Sequence, residues 1–420
     1  LVSGSFADVQ SRLGLSAADV KHTYAPDDEL LRALYQGTAS YYAGEYAQSI
    51  RAFADADALT ERRFTKSVSK SGLSLISNDM ALPYVPSRTE RLFIRYYAMM
   101  AHVRSGDMNG ATVEARRLGR LLEDQSETME EAERTVHAVM RDAAGAVFES
   151  VGETNDALVS YRNAAVLRGV PMADVDTMTL QTPAGDSATV VLVVESGFVA
   201  YRVDRGITIP VGDGVGDNES LTEQWLLSLP NGGVYDDDVD NDWQHTRRHV
   251  RNRTSVATKW LRLSWPALRR SPMPTAHVSL AIDSLEYHLT GPTGDVSDAV
   301  AQDLRRARPA LVTRMIARAG AKAAAAEAFD GDKEWVGSIL SAVGTGLERA
   351  DVRSWQLLPG TIRTVRITVP AGSYHPVLHV GEALGRVPVR LSSVQLAPRS
   401  VTVMDTRVWR DAAAMVANTP

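Results

Sequence analysis

The densest set of ligand-type side chains lies between Tyr235 and His249. Asp236, Asp238, Asp240 and Asp242 alternate along it, a spacing that can turn hard carboxylate oxygens towards a calcium ion. The analogy with a twelve-residue calcium loop then breaks. Counted from Asp236, position six is Asn241 rather than glycine, and position twelve is Arg247 rather than glutamate. A solvated acidic loop is the better reading, and calcium the lesser one. His245 and His249 stand four apart beside Trp243, but no third ligand is in register, so no metal is expected. Gly212-Asp-Gly-Val-Gly-Asp217 follows a strand signal without a helix to receive a phosphate.

Two further groups carry charge. Arg314, Arg318 and Lys322 recur every fourth residue and share one helix face. That basic face suits anionic headgroups or an acidic partner. It equally suits aliphatic stems lying along a sheet. Asp351, Arg353 and Trp355 alternate before a strand and read as an ion pair beside an aromatic, a pin between a helical insertion and the sheet. Serine elbows, His-Glu-x-x-His and phosphate-loop motifs are missing, and cysteine is absent, which excludes thiol catalysis, thiolate metal sites and disulfides. No catalytic residue and no cofactor is expected.

The elements that would carry these groups fall into two kinds. Residues 21–170 read as helical, with apolar residues at three- and four-residue spacing through Leu30, Leu31, Leu34, Tyr41 and Tyr42. Gly44, Gly106 and Gly152 each sit in a short polar turn between two such runs. Small residues such as Gly37 and Gly145 fall where paired helices would cross closely. The pattern is that of tetratricopeptide-like helix pairs, though the turn glycines are 106 − 44 = 62 and 152 − 106 = 46 residues apart rather than about 34. The array is therefore interrupted, chiefly over Lys70–Arg88, where Pro83 and Pro86 prevent a continuous helix.

Beyond Pro171 the period changes to that of strands. Residues 171–295 form the first part of a β-rich region, with an acidic loop at 212–255 and a hairpin opening at Gly197. Residues 296–350 read as a helical insertion, capped by Ser297 and Asp298, with Pro309 starting a second helix and Lys333–Glu348 a third. Residues 351–420 resume the strands. The expected fold is α+β: a tetratricopeptide-like helical array followed by a β-sandwich-like domain interrupted by helices.

Several blocks keep a common order: the Gly44 turn, Ser77-Asn-Asp-Met-Ala-Leu-Pro-Tyr84 with Glu90-Arg91, and Gly106 to Arg117. Arg308-Pro-Ala-Leu-Val-Thr-Arg314, Ala350-Asp-Val-Arg-Ser-Trp355 and Pro370-Ala-Gly372 with Tyr374 follow. Together they resemble an uncharacterised bacterial family of cell-envelope lipoproteins with N-terminal tetratricopeptide-like repeats. Residues 212–255 fall outside the likeness. Leu1-Val-Ser-Gly-Ser5, which opens an N-terminal tail of residues 1–20, is consistent with it, Ser5 standing where such proteins carry a lipidated cysteine.

The resemblance implies an envelope location, periplasmic or attached to the outer membrane through a lipid anchor, and a binding or assembly role. It supplies no catalytic residues. The leading expectation is a non-enzymatic adaptor that binds a protein or peptide in a helical groove, with Tyr41, Tyr42, Tyr46, Tyr96 and Tyr97 as candidate groove aromatics. A structural subunit of an envelope or extracellular assembly is the alternative, which makes an oligomer possible. An enzyme acting on envelope polymers is a third reading, and would need carboxylates such as Asp236 or Asp238 joined to a histidine. A net charge of −6 argues against nucleic acid.

Overall fold

The computed structural model describes residues 28–67, 83–180, 183–211, 234–236, 259–271, 278–282, 285–291, 293–328, 349–380, 387–391 and 393–408. Among these residues, three helical hairpins precede the strands. They are α1 (Glu29–Tyr42) with α2 (Tyr46–Ser67), α3 (Arg88–Arg104) with α4 (Met108–Asp124), and α5 (Glu131–Ser150) with α6 (Thr154–Leu167). Short α7 (Met172–Thr177) leads to the strands.

The three turns share one geometry. Gly44, Gly106 and Gly152 take φ of +82°, +77° and +81°, a left-handed conformation that costs any residue with a Cβ. In each, the next residue's N–H reaches back to a carbonyl of the preceding helix: Glu45 to Ser40, Asp107 to His102 and Glu153 to Phe148, at 2.8, 3.0 and 2.9 Å. The crossing is also repeated. A Cβ on Gly37 would lie 2.8 Å from the Phe53 ring, and one on Gly145 would lie 2.9 Å from the Tyr161 ring. Each glycine is seven residues before its turn glycine and each aromatic nine after it. The same offsets in the middle hairpin give Met99 and Ala115, both fully buried. The large partner has moved to the first helix and the small one to the second, so the combined volume is kept.

Two four-stranded sheets follow. One has the order β12–β1–β7–β6, built from Val401–Val408, Ser187–Ser196, Thr361–Pro370 and Thr293–Asp295. The other has the order β10–β9–β4–β5, built from Val387–Arg390, Val377–Val380, Val278–Ile282 and Leu285–His288. Ala188, Val190, Leu192 and Val194 of β1 pack with Leu280, Ile282 and Leu378 in the core between the sheets. Val193 and Ile362 face the other way, into a core shared with the hairpins. The central strand β1 is thus covered on both faces, which its unbroken valine-rich run requires. The molecule has three layers: hairpins, first sheet, second sheet. Strands β8 (Gly372–Tyr374) and β11 (Val394–Leu396) form a small extra pair, and β2 (Tyr201–Val211) with β3 (Lys259–Arg269) a long ribbon.

The fold is α+β, with a helical element inserted between the sheet neighbours β6 and β7. Three local expectations change. Ser297 and Asp298 lie inside the helix that begins at Val296 rather than capping it, and the Asp298 N–H donates to Asp295 at 2.8 Å. Gly197 does not open a hairpin between β1 and β2, because β7 and β12 already flank β1, and β2 pairs instead with β3. Pro309 does not begin a new helix. A single α8 (Val296–Ala328) runs through it. An interior proline costs about 3 kcal/mol. Burial of Val296, Ala299, Ala301 and Leu304 before it, and of Val312 and Met315 after it, carries the helix across. The expected helix at Lys333–Glu348 lies outside the described residues.

Candidate functional site

The first helix of each hairpin faces the first sheet, and the contact is strongly polar at its centre. Glu195, near the end of β1, has 1% of its surface exposed. Its Oε2 accepts hydrogen bonds from the hydroxyls of Tyr42 (2.5 Å) and Tyr97 (2.8 Å), and its Oε1 accepts from Tyr96 (3.0 Å). Arg407 of β12 lies 3.7 Å from the same carboxylate, too far for a direct hydrogen bond. The tyrosines close that gap. Arg407 donates to the Tyr42 and Tyr97 hydroxyls at 3.1 and 3.4 Å, and these donate onward to Glu195. The guanidinium also donates to the carbonyls of Leu357 (2.6 Å) and Gly197 (2.8 Å), and it stacks on the rings of Tyr42 and Phe198.

Two residues along β12 a second pair repeats the arrangement. The Arg104 guanidinium, from the last turn of α3, stands 2.5 Å from the Asp405 carboxylate. Tyr41 donates to the other oxygen of Asp405 at 2.6 Å, and Arg104 reaches the Asp405 carbonyl at 3.0 Å. Two anions meet two cations, so the cluster is balanced in charge.

Burial pushes the Glu195 carboxyl upward, while Arg407 and the hydroxyls of Tyr42 and Tyr97 pull it back. Burial, followed by the neighbouring carboxylates, holds the hydroxyls of Tyr41, Tyr96 and Tyr97 well above the usual tyrosine range. Tyr42 is raised by burial as well, against the pull of Arg407. Burial would lower Arg407 and Arg104, but Tyr42, Tyr97 and Glu195 around the first, and Asp405 and Tyr41 around the second, more than reverse this. All four tyrosines therefore stay neutral donors, the form in which the network is satisfied.

These positions correct the expected groove. Tyr41, Tyr42, Tyr96 and Tyr97 are between 0 and 4% exposed, because the first sheet occupies the face they line. Tyr46 is only half-buried, packed edge-on against Tyr41. Tyr41, Tyr42, Tyr96 and Tyr97 are bonded to Asp405 and Glu195 of this chain's own strands.

A second joint lies beside the first. Glu90 completes the N-terminal capping box of α3 with Ser87. It also accepts from the Tyr84 hydroxyl (2.5 Å) and the Trp355 backbone N–H (2.8 Å). The Trp355 indole N–H donates to Thr38 on α1 at 3.0 Å. Arg353 pairs with Asp351 at 2.8 Å, as its spacing suggests, and with Asp28 at 2.7 Å. The Asp351–Trp355 stretch is a pin, but it fastens to the hairpins rather than between insertion and sheet.

The remaining candidates separate. Asp236 is buried and held by Arg205 and by Arg269 at 2.7 Å, so both its oxygens are engaged by cations. Asp238, Asp240, Asp242, Trp243, His245 and His249 lie outside the described residues, as does Ser5. Among the described residues no three His, Cys, Asp or Glu side chains are grouped to hold a metal. Arg314 is half-buried on α8, and the side chains of Arg318 and Lys322 lie outside the described set.

Glu195, Arg407, Asp405 and Arg104 were not singled out from the sequence. The signal was there. Glu195 closes an unbroken run of valine and leucine, and Asp405 and Arg407 interrupt a strand of valine and threonine. Charges at inward positions of a buried strand require partners. Comparison with family models, with curated proteins and with solved structures gave no match to the chain. No described helix is long and apolar enough to cross a membrane.

Proposed function

We propose that the protein is a non-catalytic scaffold of the bacterial cell envelope that holds a protein partner on the outside of its helical array. The observation that carries this reading is the occupancy of Glu195. Each carboxylate oxygen is taken by tyrosine hydroxyls, with Arg407 behind them, and 1% of the residue is exposed. Such a cluster ties the hairpins to the sheet and offers no group to a substrate. The groove side is occupied in cis. The second helices of the hairpins remain, with Val113 of α4 and Val159 of α6 exposed at 47 and 57%. The envelope location rests on the resemblance of the block order.

A photo-reactive amino acid at Val113 or Val159, introduced into the protein in its producing cells, tests the reading. A discrete cross-linked product at either position, and none at Tyr97, is expected. Products at neither outer position would overturn it.

One observation favours a structural subunit instead. Strand β5 is an edge of the second sheet, and its Leu285 is 53% exposed. An edge of that kind can pair with another chain. Light scattering over a range of concentrations distinguishes the readings, since only the subunit grows in mass.

A further inference from the structure

Strand β12 pairs in parallel with β1, with Thr189 opposite Val401, Val191 opposite Val403, Val193 opposite Asp405 and Glu195 opposite Arg407. It turns Asp405 and Arg407 to the hairpins and Met404 and Val408 to the sandwich. A slip of one residue would exchange the two faces and is excluded by burial. A slip of two would keep them. Val401 and Val403 are identical, and Thr402, Met404, Thr406 and Val408 are all compatible with the sandwich side. The apolar pattern therefore leaves registers two residues apart nearly equivalent.

The charges break that equivalence. A slip in one direction sets Asp405 opposite Glu195, two carboxylates in one buried place. A slip in the other sets Arg407 opposite Val193 and leaves Glu195 facing position 409 without its cation. Either outcome strands a buried charge, which a folded chain strongly disfavours.

We infer that the Glu195–Arg407 and Arg104–Asp405 pairs set the register in which β12 enters the sheet, a role separate from any net contribution to stability. Fixing register is the best-attested use of buried polar groups. Here it also decides which β12 side chains meet the hairpins, and so whether the helical layer can seat.

The chain has no cysteine, so introduced pairs report register directly. Directly opposed Cα atoms on neighbouring strands are within disulfide reach, and a two-residue offset is not. Thr189→Cys with Val401→Cys reports the native register, and Thr189→Cys with Val403→Cys reports the slip that releases chain into the preceding loop. Each pair is oxidised after refolding and the linked peptides are read by mass spectrometry. In the otherwise unchanged protein only the first pair should close. With Arg104→Met, Glu195→Leu, Asp405→Leu and Arg407→Met added, both should close in comparable yield.

A second variant keeps every charge and moves the pattern two residues along, by Asp405→Val, Arg407→Asp and Trp409→Arg. The linkage should then pass from position 401 to position 403. The inference is overturned if the neutralised chain melts cooperatively yet links only through position 401. Should the neutralised chain not fold, the relocated one decides alone: linkage remaining at 401, or no linkage at either position, overturns it.

Discussion

Glu195 and Arg407 face each other across the parallel pair of β1 and β12, 3.7 Å apart, with tyrosine hydroxyls bridging the space between them. Each is 1% exposed. Their separation matters because the bridge, not the ion pair alone, satisfies both charges. Arg407→Met strands the carboxylate and should destabilise the protein by about 3–5 kcal/mol in urea unfolding. Glu195→Leu combined with Arg407→Met should recover most of that loss. A double variant as unstable as the sum of the singles would show that the pair is not coupled.

Tyr97→Phe separates the bridge from the packing. The ring touches Phe53 and Trp355, with centroids 5.8 and 5.9 Å away, and these contacts survive the change. The hydroxyl's bond to Glu195 is lost, and so is the relay from Arg407. Leaving a buried carboxylate one donor short should cost about 1–3 kcal/mol. Tyr287→Phe, at a half-buried ring on edge strand β5 far from this network, should stay within about 0.5 kcal/mol of the parent. Similar losses at both positions would sink the assignment of the network to the joint.

The hairpin glycines make a different prediction, because two kinds of glycine occur. At Gly106 a Cβ would meet nothing within 4 Å, but φ is +77°. Gly106→Ala should therefore cost only backbone strain, about 1–2 kcal/mol. At Gly37 the backbone is helical and a Cβ would lie 2.8 Å from the Phe53 ring. Gly37→Ala gains helix propensity and loses more to overpacking, about 1–3 kcal/mol. Gly37→Ala with Phe53→Leu should be more stable than Gly37→Ala alone. Gly106→Ala should show no such rescue by Phe53→Leu, and thermal melts of the two single and two double variants compare them directly.

Much of the helical half was readable from local chemistry. A turn glycine followed by an acidic residue is a short-range signal, and all three hairpins close on it at Gly44, Gly106 and Gly152. The alternation of Val365, Ile367 and Val369 with Arg366 and Thr368, and the run at Thr189–Val194, mark strands by equally local signals. What stayed hidden was long-range. Nothing near Tyr42 or Tyr97 in sequence says that the opposing surface comes from Glu195 and Arg407, 153 and 365 residues beyond Tyr42. An aromatic stripe on a helical array looks the same whether its occupant is a peptide or the chain's own sheet. The partnering of β2 with β3 rather than β1 was hidden likewise, since adjacency in sequence favoured the short hairpin.

His137 gives the fourth prediction, which concerns pH. It lies on α5 with 1% of its surface exposed, and its Nε2 has no hydrogen-bond partner. Burial drives its pKa down from 6.5 to about 4, and Arg141 and Arg88 act in the same direction against the pull of Glu133. The unfolded chain therefore takes up this proton near pH 6.5, while the folded chain refuses it until about pH 4. Between those values the unfolded state holds more protons, so stability rises with pH and falls on acidification. The slope from this group is at most about 1.4 kcal/mol per pH unit. Above pH 7 it contributes none. His137→Leu removes the titration, and its stability relative to the parent should grow steadily as the pH is lowered from 7 to 4. A difference in urea midpoint that stays constant across that range would mean that His137 is not held neutral by its surroundings.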